Sequence, residues 1–382
     1  MATVNLHIGA FKTGTSFIQK VLMDGRGELA DLGVLWPGRD WQAVVQGVQG
    51  LRDNRKVPYE KWSDLVGEID RWRGDSVIIS MEFMSLLSDE QVAKCVESLS
   101  QHKLRVILTA RDLGRQIPAQ WQESVQNASS WSYRDYVDGL ASMAPMTNRY
   151  GRHFWNKQNF AALLQPWSKH VEPKDLVIVT VPPSGAPKGL LWERFCESVA
   201  IAPERFDSAT SANESLGAAS AEVMRYVSAA AEGTNVSDGV RRNLKKVVSK
   251  DILASRKSLE PTLLLPPEYQ EWTTKRSRTL IKDIAALNPT VVGDLEELMP
   301  VYAPERDNTT TDPSTIPTEQ LMEAAAHGIL GMSQRQARMA RKAKGGGKGG
   351  GGRGAGKGGD GRGDGGGAPA DGGGKRRMFG RG

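Results

Sequence analysis

The sequence predicts an α/β protein with a mainly parallel central sheet flanked by helices. Two observations carry the prediction. Short apolar, β-branched runs alternate with stretches of helical period through the first two hundred residues. The first of these runs, at Leu6, passes through a glycine-and-threonine turn straight into a helix, LHIGAFKTGTSFIQ. At 382 residues the chain is long enough for one large domain or two ordinary ones.

The elements follow in order. Thr3 to Ile8 is the first strand, and Thr15 to about Asp31 the first helix. Gly33 to Pro37 reads as a short strand or turn, and two tryptophan-bearing segments follow at 41–51 and 59–72. DSVIIS, residues 75–80, is the next strand. Ser88 opens a helix with a capping-box pattern, because Gln91 stands three residues on. LRVILTARD, residues 104–112, is an apolar strand ending in Arg-Asp, with a helical pattern from Leu113 to Gln126 behind it. Residues 129–155 are rich in aromatics, glycine and methionine and read as short helices and loops on the substrate side. An amphipathic segment at 159–170 precedes the strand LVIVTV at 176–181 and the helix LLWERFCESVAI. From Ser215 to about Leu298 the pattern is mostly helical, interrupted at Pro266-Pro267. Residues 309–317 are linker-like, and 319–344 read as one more helix.

Residues 345–382 contain 21 glycines and almost no apolar side chains. Such a segment buries too little surface to offset its ordering entropy, so a disordered tail is expected. From Gln334 onward there are 13 Lys or Arg against three Asp. The formal net charge of +6 therefore comes from the tail, and the rest of the chain is slightly acidic. A basic tail suits weak contact with nucleic acid or another anionic surface; a solvated arm is the plainer reading. The expected division is 1–300 for the α/β domain with its helical C-terminal portion, 301–344 for a linker and helix, and 345–382 for the tail. Cys95 and Cys196 fall in helical patterns and read as core residues. With no leader pattern and no 18-residue apolar run, a soluble, cytoplasmic protein is expected.

The turn between the first strand and helix offers backbone N–H groups and a positive helix end to an anion. It is not the loop of nucleoside-triphosphate hydrolases, G-x-x-x-x-G-K-[ST]. Gly9 and Gly14 have that spacing, but Thr15 fills the lysine position and the lysine lies inside the loop at Lys12. The segment Phe11-Lys12-Thr13-Gly14-Thr15-Ser16 instead resembles the 5′-phosphosulfate loop of sulfotransferases that use 3′-phosphoadenosine-5′-phosphosulfate (PAPS). Their signature runs P-K-[ST]-G-[TS]-[TS], and only the proline is missing here. A second segment resembles the same family, which binds the 3′-phosphate with an arginine at a strand end and a serine eight residues later. Arg111 matches the arginine and Trp121 the aromatic two positions past the serine, but Ala119 stands where the serine belongs. Gln116, Gln120 or Arg115 is then the candidate replacement. The plainer reading of Arg111 is an ion pair with Asp112 or a helix cap.

The resemblance spans roughly residues 3–230 and implies a sulfotransferase fold related to phosphate-loop proteins. It implies an enzyme taking PAPS as co-substrate and moving a sulfuryl group in line to an acceptor hydroxyl or amine on a small molecule, glycan or glycolipid. Lys12 would neutralise charge on the oxygen bridging sulfur and phosphorus, while Thr13, Gly14, Thr15 and Ser16 hold the 5′-phosphate. Asn213 and Ser215 would donate to the 3′-phosphate region, or serve as an N-cap for the following helix. Glu82, at the end of the DSVIIS strand, is the candidate base, because the carbohydrate sulfotransferases that this chain resembles carry a glutamate there; a carboxylate at the N-terminus of the next helix is the plainer reading. His153, in the aromatic region, is the rival base, and His7 reads as a satisfied core histidine. No metal-ligand spacing appears in the sequence, and none is needed for this chemistry. Two other readings compete: a nucleotide kinase or hydrolase with a degenerate loop, and a non-catalytic protein that binds nucleic acid through its tail.

Overall fold

The structure, a computed structural model, describes residues 1–53, 56–208, 215–304, 306 and 308–346. Residues Met1–Gln334 make one compact unit, and Arg335–Gly382 fall in a second. Eight strands are assigned among the described residues: β1 (Thr3–Gly9), β2 (Val34–Leu35), β3 (Ser76–Ser80), β4 (Lys103–Ala110), β5 (Leu176–Thr180), β6 (Thr262–Leu263), β7 (Thr290–Val292) and β8 (Thr309–Thr310). Six of them form one sheet in the order β2-β3-β1-β4-β5-β7, and every pairing in it is parallel. β6 and β8 make a separate parallel pair.

Sheet strands with both faces covered read as continuous apolar runs. β1, β3, β4 and β5 do so, with Leu6, Ile78, Val106 and Ile178 wholly inaccessible. Helices on either side complete this core, among them Ile18 and Leu22 from the first helix and Trp192 and Phe195 from Leu190–Val199. A second apolar cluster joins the Leu113–Gln126, Tyr133–Ala141 and Ala218–Ala231 helices through Trp121, Tyr136 and Ala219. The chain leaves β1 toward β3 on one side and later returns to place β4 on the other. The carboxyl ends of β1 and β4 therefore flank the switch of strand order, the place where open α/β sheets bind ligands.

Several expectations are revised. The first helix is not continuous to Asp31: it stops at Asp24 and restarts at Arg26 across Gly25. A Cβ on Gly25 would lie 2.5 Å from the Phe206 ring, so that close approach requires glycine. The mostly helical reading of 215–298 missed β6 and β7, strands of two and three residues that are too short to show alternation. The capping box is present, with Ser88 Oγ accepting from Gln91 N–H at 3.3 Å and Gln91 Oε1 accepting from Ser88 N–H at 3.1 Å. Cys95 and Cys196 are buried free thiols. Among the described residues no helix is long and apolar enough to cross a membrane.

Candidate active site

Strand β1 ends on Gly9, at φ +97°, and the chain turns through Lys12 (φ +62°) and Gly14 (φ +88°) into the Thr15–Asp24 helix. Two of these left-handed positions are glycine; the third is Lys12, whose Cβ makes that conformation costly. The turn is pinned from below. Thr13 is inaccessible, and its hydroxyl donates to Ala10 C=O at 2.6 Å while meeting Thr109 Oγ1 at 2.5 Å. Thr109 Oγ1 lies 3.3 Å from His7 Nε2, and His7 Nδ1 lies 2.7 Å from Ser80 Oγ. Burial drives the His7 pKa down to about 3, so the ring is neutral. The network then has one consistent direction: Ser80 donates to His7 Nδ1, His7 Nε2–H to Thr109, Thr109 to Thr13, and Thr13 to Ala10. His7 is thus a satisfied core histidine that also fixes the loop through two threonines.

The turn carries donors with no side-chain cap or backbone partner. No side chain caps the helix at Gly14, and no acidic residue occupies its first turn. Among the described residues, the N–H groups of Phe11 through Gly14 donate to no backbone carbonyl. With Thr15 and Ser16 they form a run of donors at a positive helix end. The Lys12 Nζ is engaged 2.7 Å from Glu123 Oε2.

Arg111 follows directly on β4, next to the turn: Ala10 N–H donates to Thr109 C=O at 2.9 Å. Its Nε is sealed from solvent and has no partner. The expected pairing with Asp112 is not made, because Asp112 is committed to Arg115 and to the N-terminus of the Leu113–Gln126 helix. Burial, then the nearby Arg115, lowers the Arg111 pKa to about 10, against the pull of Asp112. A half-buried guanidinium whose sealed Nε has no partner is costly unless an anionic ligand completes it.

Of the three candidates to replace the missing serine, two are occupied. Arg115 donates to Pro182 C=O at 2.9 Å as well as to Asp112, and Gln116 Nε2 donates to Phe11 C=O at 2.5 Å. Gln120 is free: its Nε2 is buried and unpartnered.

Glu82 opens the 3₁₀ turn Glu82–Leu86 just beyond β3, and its Oε2 accepts from Gln19 Nε2 at 2.9 Å. Gln19 also donates to Ser80 C=O, so the first helix holds the glutamate at the carboxyl end of β3. A Cβ on Gly9 would lie 2.9 Å from Glu82 Cβ, which places this residue against the start of the turn. His153 sits on the Arg149–Gln158 helix, with Nε2 3.0 Å from Ser124 Oγ and 3.3 Å from Lys157 Nζ. Burial, then Lys157, pulls its pKa to about 4 despite the opposing Glu123. It is neutral at pH 7 and a weak proton acceptor beside an ammonium group.

Ser215 is half-buried in the stretch before the Ala218–Ala231 helix, and it caps nothing. The N-cap is Gly217, and Glu260 supplies the carboxylate, accepting from Ser220 N–H at 2.8 Å. Asn213 lies outside the described residues, as do the tail residues beyond 346.

The structure adds residues that the sequence reading did not find. Glu123 gathers Lys12 at 2.7 Å and Lys245 at 3.6 Å, with Lys157 and Lys250 within its electrostatic reach. Burial opposes its ionisation, yet Lys12, Lys245 and Asn127 together hold its pKa at about 2. One carboxylate thus sits among four ammonium groups, in a pocket of strong residual positive charge. Gln116, Gln120 and Glu123 stand at helical spacing, and that polar stripe was a usable signal in the sequence. Nothing local pointed to Lys245, which lies in the Leu244–Ile252 π-helical stretch. Among the described residues no group of three His, Cys, Asp or Glu side chains has metal-binding geometry.

Comparison with protein-family models, with curated proteins and with solved structures finds no match to this chain.

Proposed function

We propose that this chain is a PAPS-dependent sulfotransferase, built on the fold related to phosphate-loop proteins. The observation that carries the reading is a pair of anion sites on neighbouring strands. One is the uncapped N–H turn with Lys12 after β1. The other is the unpartnered Arg111 and Gln120 after β4. A nucleotide bearing phosphates at both its 5′ and 3′ ends has the chemistry to occupy both. An ordinary nucleoside triphosphate leaves Arg111 unpaired.

In this reading the N–H groups of Thr13 to Ser16 hold the 5′-phosphate, while Arg111 and Gln120 take the 3′-phosphate. Ser215 and Asn213 are proposed to donate from the segment that follows. Lys12 exchanges Glu123 for the phosphosulfate and neutralises the bridging oxygen as its bond to sulfur breaks. Glu82 accepts the acceptor's proton as the new S–O or S–N bond forms, leaving 3′,5′-adenosine bisphosphate and the sulfated product. His153, neutral and next to Lys157, is the poorer candidate for that base.

Thermal unfolding with 3′,5′-adenosine bisphosphate, and separately with ATP and magnesium, tests the proposal. A ligand at one hundred times its Kd stabilises by about 2.7 kcal/mol, a readily measured shift. The bisphosphate should raise Tm, and Lys12→Ala should reduce that rise. A magnesium-dependent response to ATP alone would refute it in favour of a nucleoside-triphosphate enzyme.

A further inference from the structure

A cleft of about 670 Å³ lies between the turn that begins at Glu82 and the Arg149–Gln158 helix. Its charged lining is entirely cationic: Arg52, Arg149, Arg152 and Lys157, with no carboxylate. Four like charges converging on one space repel one another, and acidic neighbours ordinarily relieve them. Here none of the four has an ion pair within 4 Å among the described residues. They are held in place by other means. The Arg52 guanidinium lies over the Phe83 ring at 5.6 Å, and that of Arg149 over Trp131 at 5.5 Å and Tyr150 at 4.8 Å. Arg152 donates to Thr147 C=O at 2.8 Å. Lys157 leans over Phe11, the residue before Lys12, at 5.5 Å. Aromatic faces and carbonyls fix the three arginines without neutralising them, and Lys157 has only a share of Glu123 with Lys12, Lys245 and Lys250, so the cleft is preorganised for negative charge.

The cleft also adjoins the proposed chemistry on two sides. Leu86 and Leu87 on its wall continue the turn that starts at Glu82, and Lys157 connects it to the Lys12 loop. Its volume suits a molecule of disaccharide size.

We propose that this cleft binds the sulfuryl acceptor through the acceptor's own negative charges, and that the acceptor is a small acid carrying two or more anionic groups. The inference rests on the sulfotransferase reading for the word acceptor. The cleft's preference for a multiply charged anion stands on its geometry alone.

The test is calorimetric titration of the full chain with three probes: a uronic-acid disaccharide bearing two sulfates, its unsulfated counterpart with one carboxylate, and uncharged maltose. Affinity should rise in the order of charge and fall steeply with added salt. Arg149→Ala and Arg152→Ala, at exposed positions, should each weaken the disulfated probe about tenfold, the loss expected for one charge-assisted hydrogen bond. Neither should alter binding of 3′,5′-adenosine bisphosphate. Equal binding of maltose and the disulfated probe would overturn the inference, as would tight binding that both variants leave intact. Tighter binding of a single-stranded oligonucleotide, lost in the same variants, would overturn it in favour of a nucleic-acid groove. If the disulfated probe binds as expected while the bisphosphate does not bind at all, the sulfotransferase reading fails and the anion cleft stands.

Discussion

Replacing Glu123 by glutamine removes the one negative charge that Lys12, Lys157, Lys245 and Lys250 share. The carboxylate's pKa falls from an ordinary 4.5 to about 2 even though burial opposes ionisation. At about 1.4 kcal/mol per pH unit, the surrounding cations favour the charged form by on the order of 3 kcal/mol. Any phosphate arriving at the Lys12 turn must displace that carboxylate. Glu123→Gln should therefore tighten binding of 3′,5′-adenosine bisphosphate by about tenfold or more, with roughly a hundredfold as the ceiling set by that energy. The ligand-free protein should move the other way, losing roughly 1–3 kcal/mol at neutral pH as four ammonium groups face one another unneutralised. The pH dependence has a definite sign. A depressed folded-state pKa contributes stability above 4.5, and that contribution is lost as pH falls from 4.5 toward 2. The variant should lack this acid-labile component. Calorimetric binding and urea unfolding across pH 2–7 read both effects. Unchanged or weaker anion affinity in Glu123→Gln would show that Glu123 does not occupy an anion's place.

Lys12→Ala should lower the rate of sulfuryl transfer at least about a hundredfold in a labelled-donor assay, the usual cost of one preorganised charge-stabilising donor. Gln120→Leu should weaken the bisphosphate but not adenosine monophosphate, since the proposed binding mode puts only the 3′-phosphate on the Arg111 side; competitive titration reads the difference. Gly9→Ala should destabilise by roughly 1–3 kcal/mol in chemical denaturation, because φ is +97° and the new Cβ would lie 3.2 Å from Glu82 Cα, a backbone atom. Glu297→Ala should cost about 3 kcal/mol, since it leaves Arg194 without its two-pronged partner at 2.6 and 2.8 Å and frees the Thr180 hydroxyl at the end of β5.

The parallel sheet was legible because β1, β3, β4 and β5 are continuous apolar runs, and burial on both faces demands that pattern. The Leu113–Gln126 helix was legible to the residue because Asp112 caps it and Trp121 and Val125 recur on its buried face. Edge strand β7 was not, since three residues carry no period. Lys12, Arg111 and the Thr13–Ser16 turn stood out because short motifs at strand ends resemble those of sulfotransferases, and Glu82 because it follows the DSVIIS strand at the end where such sheets bind ligands. Ser215 was misread as a possible cap because the carboxylate that performs this role, Glu260, lies 40 residues beyond Ser220. The lysines around Glu123 and the arginines of the cleft come together only through tertiary packing. No single segment of sequence announces them.

The claim at the centre is that Lys12 and Arg111 hold opposite ends of one adenine nucleotide. Calorimetric titration of 3′,5′-adenosine bisphosphate against adenosine 5′-monophosphate, in the unmodified chain and in Arg111→Ala, tests it most directly. The bisphosphate should bind about tenfold or more tighter than the monophosphate, and Arg111→Ala should erase the difference. Equal affinities in the unmodified chain, or a preference that survives in Arg111→Ala, would contradict it.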